Sequence, residues 1–146
     1  MSLIDDIKSI QSRDPASPTF LEVVFGYNGF HALLFHRLNS AIWKLGLRAL
    51  ARFIANFGRI LTGIEIHPEA KIGQRLFIEH GTGVVIRPTA ITGDDVTIYH
   101  GLTLGGVGRP DQKGETRHHP TTTGAKVGAH APALGVKTRA EHATTA

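Results

Sequence analysis

From residue 66 onward the aliphatic residues recur with a period of six. Ile66, Ile72 and Ile78 are six apart. After a slip of two residues the spacing resumes at Ile86, Thr92, Ile98 and Leu104. Two residues before most of these stand Ala70, Leu76, Val84, Ala90, Val96 and Leu102, and Gly73, Gly93 and Gly105 directly follow repeat positions. A period of six fits neither an amphipathic helix, which needs 3.6, nor a lone half-buried strand, which needs 2. It predicts a coil of short, flat strands joined at corners, each hexad turning an aliphatic side chain inward, with about three hexads to a turn.

The first 63 residues obey a different rule. Leu3, Ile4, Ile7 and Ile10 are spaced as on a helix, which Arg13-Asp14-Pro15 ends. Residues 19–45 carry apolar residues at threes and fours, with a break signalled by Gly26 and Gly29. Leu47, Leu50, Phe53, Ile54, Phe57 and Leu61 mark a further amphipathic helix. The expected class is therefore α+β: a compact helical domain over 1–63, a repeat domain over 64–135 and an irregular tail over 136–146. The period fails between Gly105 and Pro120, a stretch rich in Gly, Pro and charge, which predicts a protruding loop of the kind that carries function.

Composition closes off several classes. With no cysteine among 146 residues, disulfides, thiolate metal sites and cysteine nucleophiles are excluded. Sixteen Lys and Arg against twelve Asp and Glu give a net charge of +4, but the basic residues are scattered. Lys44, Arg48, Arg52 and Arg59 read as a solvated helix face rather than a nucleic-acid patch. The acidic start of the chain lacks the apolar run of a signal peptide, and no stretch reaches the roughly 20 apolar residues of a membrane span. The expectation is a cytoplasmic protein with neither a nucleic-acid nor a membrane partner.

The chemistry-bearing residues are histidines and acids. His67, His80, His100 and the pair His118-His119 lie in or beside the repeats, a set open to metal binding or to acid–base catalysis. Glu65 precedes His80 by nearly one turn of the coil, so the two could stand side by side. A carboxylate bonded to one ring nitrogen would leave the other as a base for a hydroxyl. His67 and His100 read as corner residues.

The order of motifs from Arg13 to Pro120 resembles the serine acetyltransferases, hexapeptide-repeat acyltransferases with a left-handed parallel β-helix. It includes Arg13-Asp14-Pro15, Gly29-Phe30-His31-Ala32-Leu33 and Ile66-His67-Pro68 followed by Ala70-Lys71-Ile72-Gly73. It continues through Ile78-Glu79-His80-Gly81-Thr82-Gly83, Leu102-Thr103-Leu104-Gly105-Gly106 and Arg117-His118-His119-Pro120. The resemblance implies transfer of acetyl from acetyl-CoA, a co-substrate rather than a bound cofactor, to the hydroxyl of L-serine, within cysteine biosynthesis and with no metal. It makes His80 the catalytic base and Glu65 the residue that orients it. Asp14 and Glu79 would hold the serine amino group. Arg117 and a following histidine, His119 in preference to His118, would meet its carboxylate. Thr103, Gly105 and Gly106 would lie along acetyl-CoA. A homotrimer or dimer of trimers is implied, with the active site between neighbouring coils.

The chain departs from that pattern in several places. Arg87-Pro88 stands where the family has Gly-Glu, and Thr92 replaces an inward aliphatic residue, which should weaken one hexad. The family's further coils and its C-terminal Ile, which docks a sulfhydrylase partner, have no counterpart in Lys137–Ala146. The expectation is thus of a truncated C-terminus without that partner. The alternatives are a weakly active family member, an acetyltransferase for another hydroxyl acceptor, or a zinc enzyme of the γ-carbonic-anhydrase kind.

Overall fold

The structure, a computed structural model, describes residues 2–105, 121–130 and 132–134. Four helices precede seven short strands: α1 Leu3–Arg13, α2 Phe20–Gly26, α3 Asn28–Lys44 and α4 Arg48–Thr62, then β1 Glu65–Ile66, β2 Phe77–Glu79, β3 Val85–Ile86, β4 Thr97–Tyr99, β5 Thr103–Gly105, β6 Lys126–Val127 and β7 Pro132–Leu134. The helix boundaries follow the sequence signals. Ser2 caps α1, and the Thr19–Glu22 capping box starts α2. The expected break falls at Tyr27, and Gly63, at φ 72°, ends α4 in the left-handed conformation.

Strands next to one another in the chain do not pair. They form two all-parallel sheets, ordered β1-β3-β5-β7 and β2-β4-β6. Glu65 stands opposite Val85 and Phe77 opposite Thr97, so one lap of chain is twenty residues there; Val85 stands opposite Thr103, a lap of eighteen. Bridges from Lys71 to Ile91 and from Thr92 to Thr121 tie a third stretch of each lap to the next. Eighteen is three hexads, and twenty is three hexads plus the slip seen in the sequence.

The hexad residues point inward. Ile66, Ile78, Ile86, Ile98 and Leu104 are buried together with Ala70, Leu76, Val84, Ala90, Val96 and Leu102, one column upon another in a single core. Thr92 is buried among them, and its hydroxyl accepts a 3.0 Å hydrogen bond from the Gly73 amide. The expected weak hexad is thus satisfied, because the threonine oxygen takes a backbone donor that an aliphatic residue would leave unmet. Gly73 is required at this corner: a Cβ there would lie 2.1 Å from the Gly93 carbonyl oxygen of the next lap.

The helices pack by a different logic. Ala32 and Leu33 of α3 join the strand core, while Ile7, Ile10, Val23, Phe30 and Phe77 make a second cluster between α1, α2, α3 and β2. Helix α4 forms where the sequence places an amphipathic helix, but its large apolar residues face outward. Its buried residues are Ala51, Gly58 and Thr62, whereas Leu50, Phe53, Phe57, Ile60 and Leu61 are exposed. Gly58 lets α4 approach α3 so closely that a Cβ would fall 2.8 Å from the Phe35 ring. Close helix approach therefore decides which face of α4 turns inward, ahead of hydrophobic patterning.

Candidate active site

The candidate site lies at the seam between the helices and the second sheet, and two local devices build it. Arg13, the last residue of α1, reaches across to the strands. Its guanidinium donates to the Arg75 carbonyl, to the Asp95 carbonyl at 2.9 Å and to Thr97 Oγ1 at 3.1 Å, and it lies over the Phe77 ring at 5.5 Å. This clamp fixes where α1 ends and hence where Asp14 stands. Gly29 then lets the start of α3 touch β2, because a Cβ there would lie 2.3 Å from the Ile78 carbonyl oxygen.

The result is a cavity of about 340 Å³ lined by Asp14, Tyr27, Asn28, Glu79, His80 and Thr82, among others. Asp14 thus shares one space with Glu79 and His80, sixty-five and sixty-six residues further along the chain. Asp14 is held by the Ala16 amide, which donates to Oδ1 at 2.8 Å, and by the Tyr27 hydroxyl, which donates to Oδ2. Burial and this bond to a carboxylate push the Tyr27 hydroxyl up to about 12, so it stays a donor. Glu79 ends β2 and stands opposite Tyr99 of β4. The Tyr99 hydroxyl, its pKa raised by burial and then by the Glu79 charge, donates to that carboxylate.

His80 follows Glu79 with φ 50°, in the left-handed region that histidine visits more readily than most residues. Gly81 beneath it is buried, with room for no Cβ against Ile64 and Ile78. The corner therefore sits flush on the core and leaves the His80 side chain exposed. An imidazole beside two carboxylates can accept a proton from a hydroxyl, while the carboxylates attract an ammonium group.

Other residues singled out from the sequence lie apart from this cavity. Glu65 stands on β1, where its carboxylate pairs with Arg59 at 3.3 Å; among the described residues no hydrogen bond joins it to His80. Glu65, Val85 and Thr103 form one column of the first sheet, and Gly105 lies two residues beyond Thr103 on β5. A Cβ on Gly105 would lie 2.2 Å from the Arg87 side chain, so the Arg87 that departs from the family pattern packs directly on this glycine. Gly106, Arg117, His118 and His119, the expected loop beyond Gly105 and the tail 136–146 lie outside the described residues. His67 contacts the edge of Trp43, and His100 contacts His130 with ring centres 5.1 Å apart. Among the described residues no three His, Asp or Glu side chains are arranged to hold a metal ion, and no helix is long and apolar enough to cross a membrane.

Sequence reasoning missed Tyr27 and Tyr99. The second was within reach: it follows Glu79 by one lap of twenty, so the repeat places it alongside. Tyr27 carries no such signal, since its meeting with Asp14 depends on how α1 and α3 pack.

The family model "Serine acetyltransferase, N-terminal" matches residues 1–34. The chain is similar to the serine acetyltransferase of Mycobacterium tuberculosis, strain ATCC 25618 / H37Rv, with 55% identity over 130 residues covering 89% of this chain and 56% of that protein. In structure it is similar to the Brucella abortus S19 serine acetyltransferase in complex with coenzyme A, with TM-score 0.84, 36% identity, and coverage of 92% of this chain and 52% of that one. The Neisseria gonorrhoeae serine acetyltransferase in complex with serine matches with TM-score 0.81 and 36% identity, over 89% of this chain and 52% of that one. The chain spans about half the length of the curated relatives it matches.

Proposed function

We propose that this chain, similar to serine acetyltransferases over about half of their length, transfers acetyl from acetyl-CoA to the hydroxyl of L-serine, giving O-acetyl-L-serine and CoA. The observation that carries this reading is the cavity in which Asp14 and Glu79 flank the exposed His80. Two carboxylates in one small space suit the ammonium of an amino acid and disfavour a neutral sugar acceptor. With the ammonium held there, the serine hydroxyl reaches the imidazole. His80 takes its proton, the alkoxide attacks the thioester carbonyl, and the tetrahedral intermediate collapses with loss of CoA thiolate, which the imidazolium reprotonates. Glu65 is read as the residue that orients His80. Arg117 with His119 or His118 is read as the carboxylate clamp, and Thr103, Gly105 and Gly106 as the strip along acetyl-CoA. Backbone N–H groups of that strip would stabilise the oxyanion by about 3 kcal/mol.

The same reading takes the parallel sheets as faces of a left-handed β-helix spanning 64–135, with 1–63 as a helical domain and a cytoplasmic setting. It also takes the active protein as a homotrimer or dimer of trimers. The exposed stripe on α4, where Phe53 and Ile60 are each 72% accessible, supports assembly, since a row of large apolar side chains facing water is what an interface covers.

The test is CoA release from acetyl-CoA with L-serine, compared with a sugar acceptor, together with His80→Ala. We expect turnover with serine only, and a loss of about 100-fold or more in His80→Ala, the usual contribution of a general base. Undiminished turnover in His80→Ala, or equal turnover with the sugar, overturns the assignment.

A further inference from the structure

Of the basic residues Lys44, Arg48, Arg52 and Arg59, whose spacing suggests a solvated helix face, the fold singles out the last. Arg48 lies over the Trp43 ring and Arg52 contacts His67, whereas among the described residues only Arg59 of the four pairs with a carboxylate. Arg59 stands in the last turn of α4, and that end of the helix comes down on the corner that carries His80. The Gly63 carbonyl accepts a 3.1 Å hydrogen bond from the Gly83 amide, and the Glu65 amide donates to the Val84 carbonyl at 2.9 Å. Between these two bonds Ile64 lies directly on Gly81, where a Cβ would fall 2.4 Å from its side chain. Gly81 and Thr82, which line the cavity around His80, are thus backed by Ile64 and Gly63.

Glu65 leaves this seam as the first residue of β1, with its backbone held by the next lap. Its carboxylate is about half exposed and is separated from that backbone by three rotatable bonds, so the lap alone does not fix where it points. Arg59 does. Its Nη1 meets Oε2 of Glu65 at 3.3 Å, and no described residue takes the other oxygen. A pair made through one oxygen leaves Oε1 free to accept from an imidazole N–H.

We propose that Arg59 is a positioning residue for acetyl transfer: by holding Oε2 of Glu65 it presents Oε1 to the ring of His80, so that the three act in series. The proposal rests on the reading of Glu65 as the residue that orients His80. Arg59 lies outside the cavity around His80 and acts through Glu65 alone. Narrowing the rotamers of Glu65 favours one tautomer of the neutral imidazole, the one whose N–H is given to that carboxylate, and keeps the other ring nitrogen as the base.

The test reads the His80 ring itself. Long-range proton–nitrogen NMR of the full chain distinguishes the two tautomers of a neutral histidine, and comparison with His80→Ala identifies its signal among the nine histidines. We expect one tautomer to dominate, its excess to fall about fivefold in Arg59→Gln, the scale of one exposed ion pair, and Arg59→Lys to retain it. Glu65→Ala is expected to lose the same preference, and Arg59→Gln added to it to change nothing further. In acetyl transfer to L-serine the corresponding result is a kcat about fivefold lower in Arg59→Gln, with KM for L-serine unchanged. A tautomer ratio that responds to Glu65→Ala but not to Arg59→Gln overturns the proposal and leaves the reading of Glu65 standing. A ratio unmoved by Glu65→Ala overturns that reading, and the proposal with it. A rise in kcat in Arg59→Gln overturns the proposal in the opposite sense, since Arg59 would then be withholding Glu65 from the imidazole. The tautomer readout does not depend on turnover.

Discussion

The helical and stranded halves bury their side chains by opposite rules. In the strands most inward positions are filled by aliphatic side chains stacked on their equivalents one lap away, and the hydrogen bonds run between laps. In the helices a small apolar cluster of Ile7, Ile10, Val23 and Phe30 is joined by small residues and polar clamps, Gly58 against Phe35, Arg37 on Asp6 and Arg13 on the strand carbonyls, while Phe25, Phe53 and Ile60 face outward. Stability in the first half is thus held at a few long-range points, whereas in the second it is spread along a column. The candidate site lies where the two meet, which gives it a rigid wall, carrying Glu79 and His80, and a clamped one, carrying Asp14 and Tyr27.

The sharpest way to break this contrast is a matched pair of truncations. Ile98→Ala, at a fully buried position of the column, is expected to cost about 3–5 kcal/mol in urea unfolding, and Phe53→Ala less than about 0.5 kcal/mol at low protein concentration. Equal losses would mean that the α4 stripe is covered in solution.

Next in size is a pH effect confined to the helices. His36 is neutral when folded, with its pKa down from 6.5 to about 4, so its contribution is fully present above pH 6.5. It is lost as pH falls from 6.5 towards 4, where the unfolded chain gains a proton that the folded one refuses. The fall should amount to about 3 kcal/mol. Denaturant unfolding between pH 7 and 4 should show it, and His36→Gln should remove that part of the slope.

Arg13→Gln tests the clamp. Removing a charged donor from the oxygens of Arg75, Asp95, Val96 and Thr97 should cost about 2 kcal/mol and loosen the α1 end. Faster amide exchange at Ala16 and Ser17, with Ile98 unaffected, is the expected readout; uniform loosening would mean the halves are not separately held.

The smallest effect belongs to Tyr99→Phe, which removes one neutral donor from Glu79. A rise of about fivefold in KM for L-serine is expected with little change in kcat, since about 1 kcal/mol of positioning is lost. A fall in kcat alone would place Tyr99 with the reacting atoms instead.

Much of the fold was legible because periodicity is local. The six-residue spacing foretold strands that bury Ile66, Ile78, Ile86 and Ile98, and the two-residue slip after Ile78 reappears as the difference between laps of twenty and eighteen. The motif order likewise named Asp14, Glu79 and His80. Thr92 shows the limit of reading one position at a time, since its hydroxyl is answered by an amide nineteen residues away.

What the sequence alone determined, then, is the repeat and the inward residues, because these follow from spacing along one chain. Only the tertiary structure decided that α4 turns Ala51, Gly58 and Thr62 inward, that Tyr27 meets Asp14, and that α1 ends beside His80. Those outcomes rest on close approach between segments far apart in sequence. There a missing Cβ at Gly29 or Gly58, or the reach of one arginine, selects a packing that the hydrophobic pattern does not dictate.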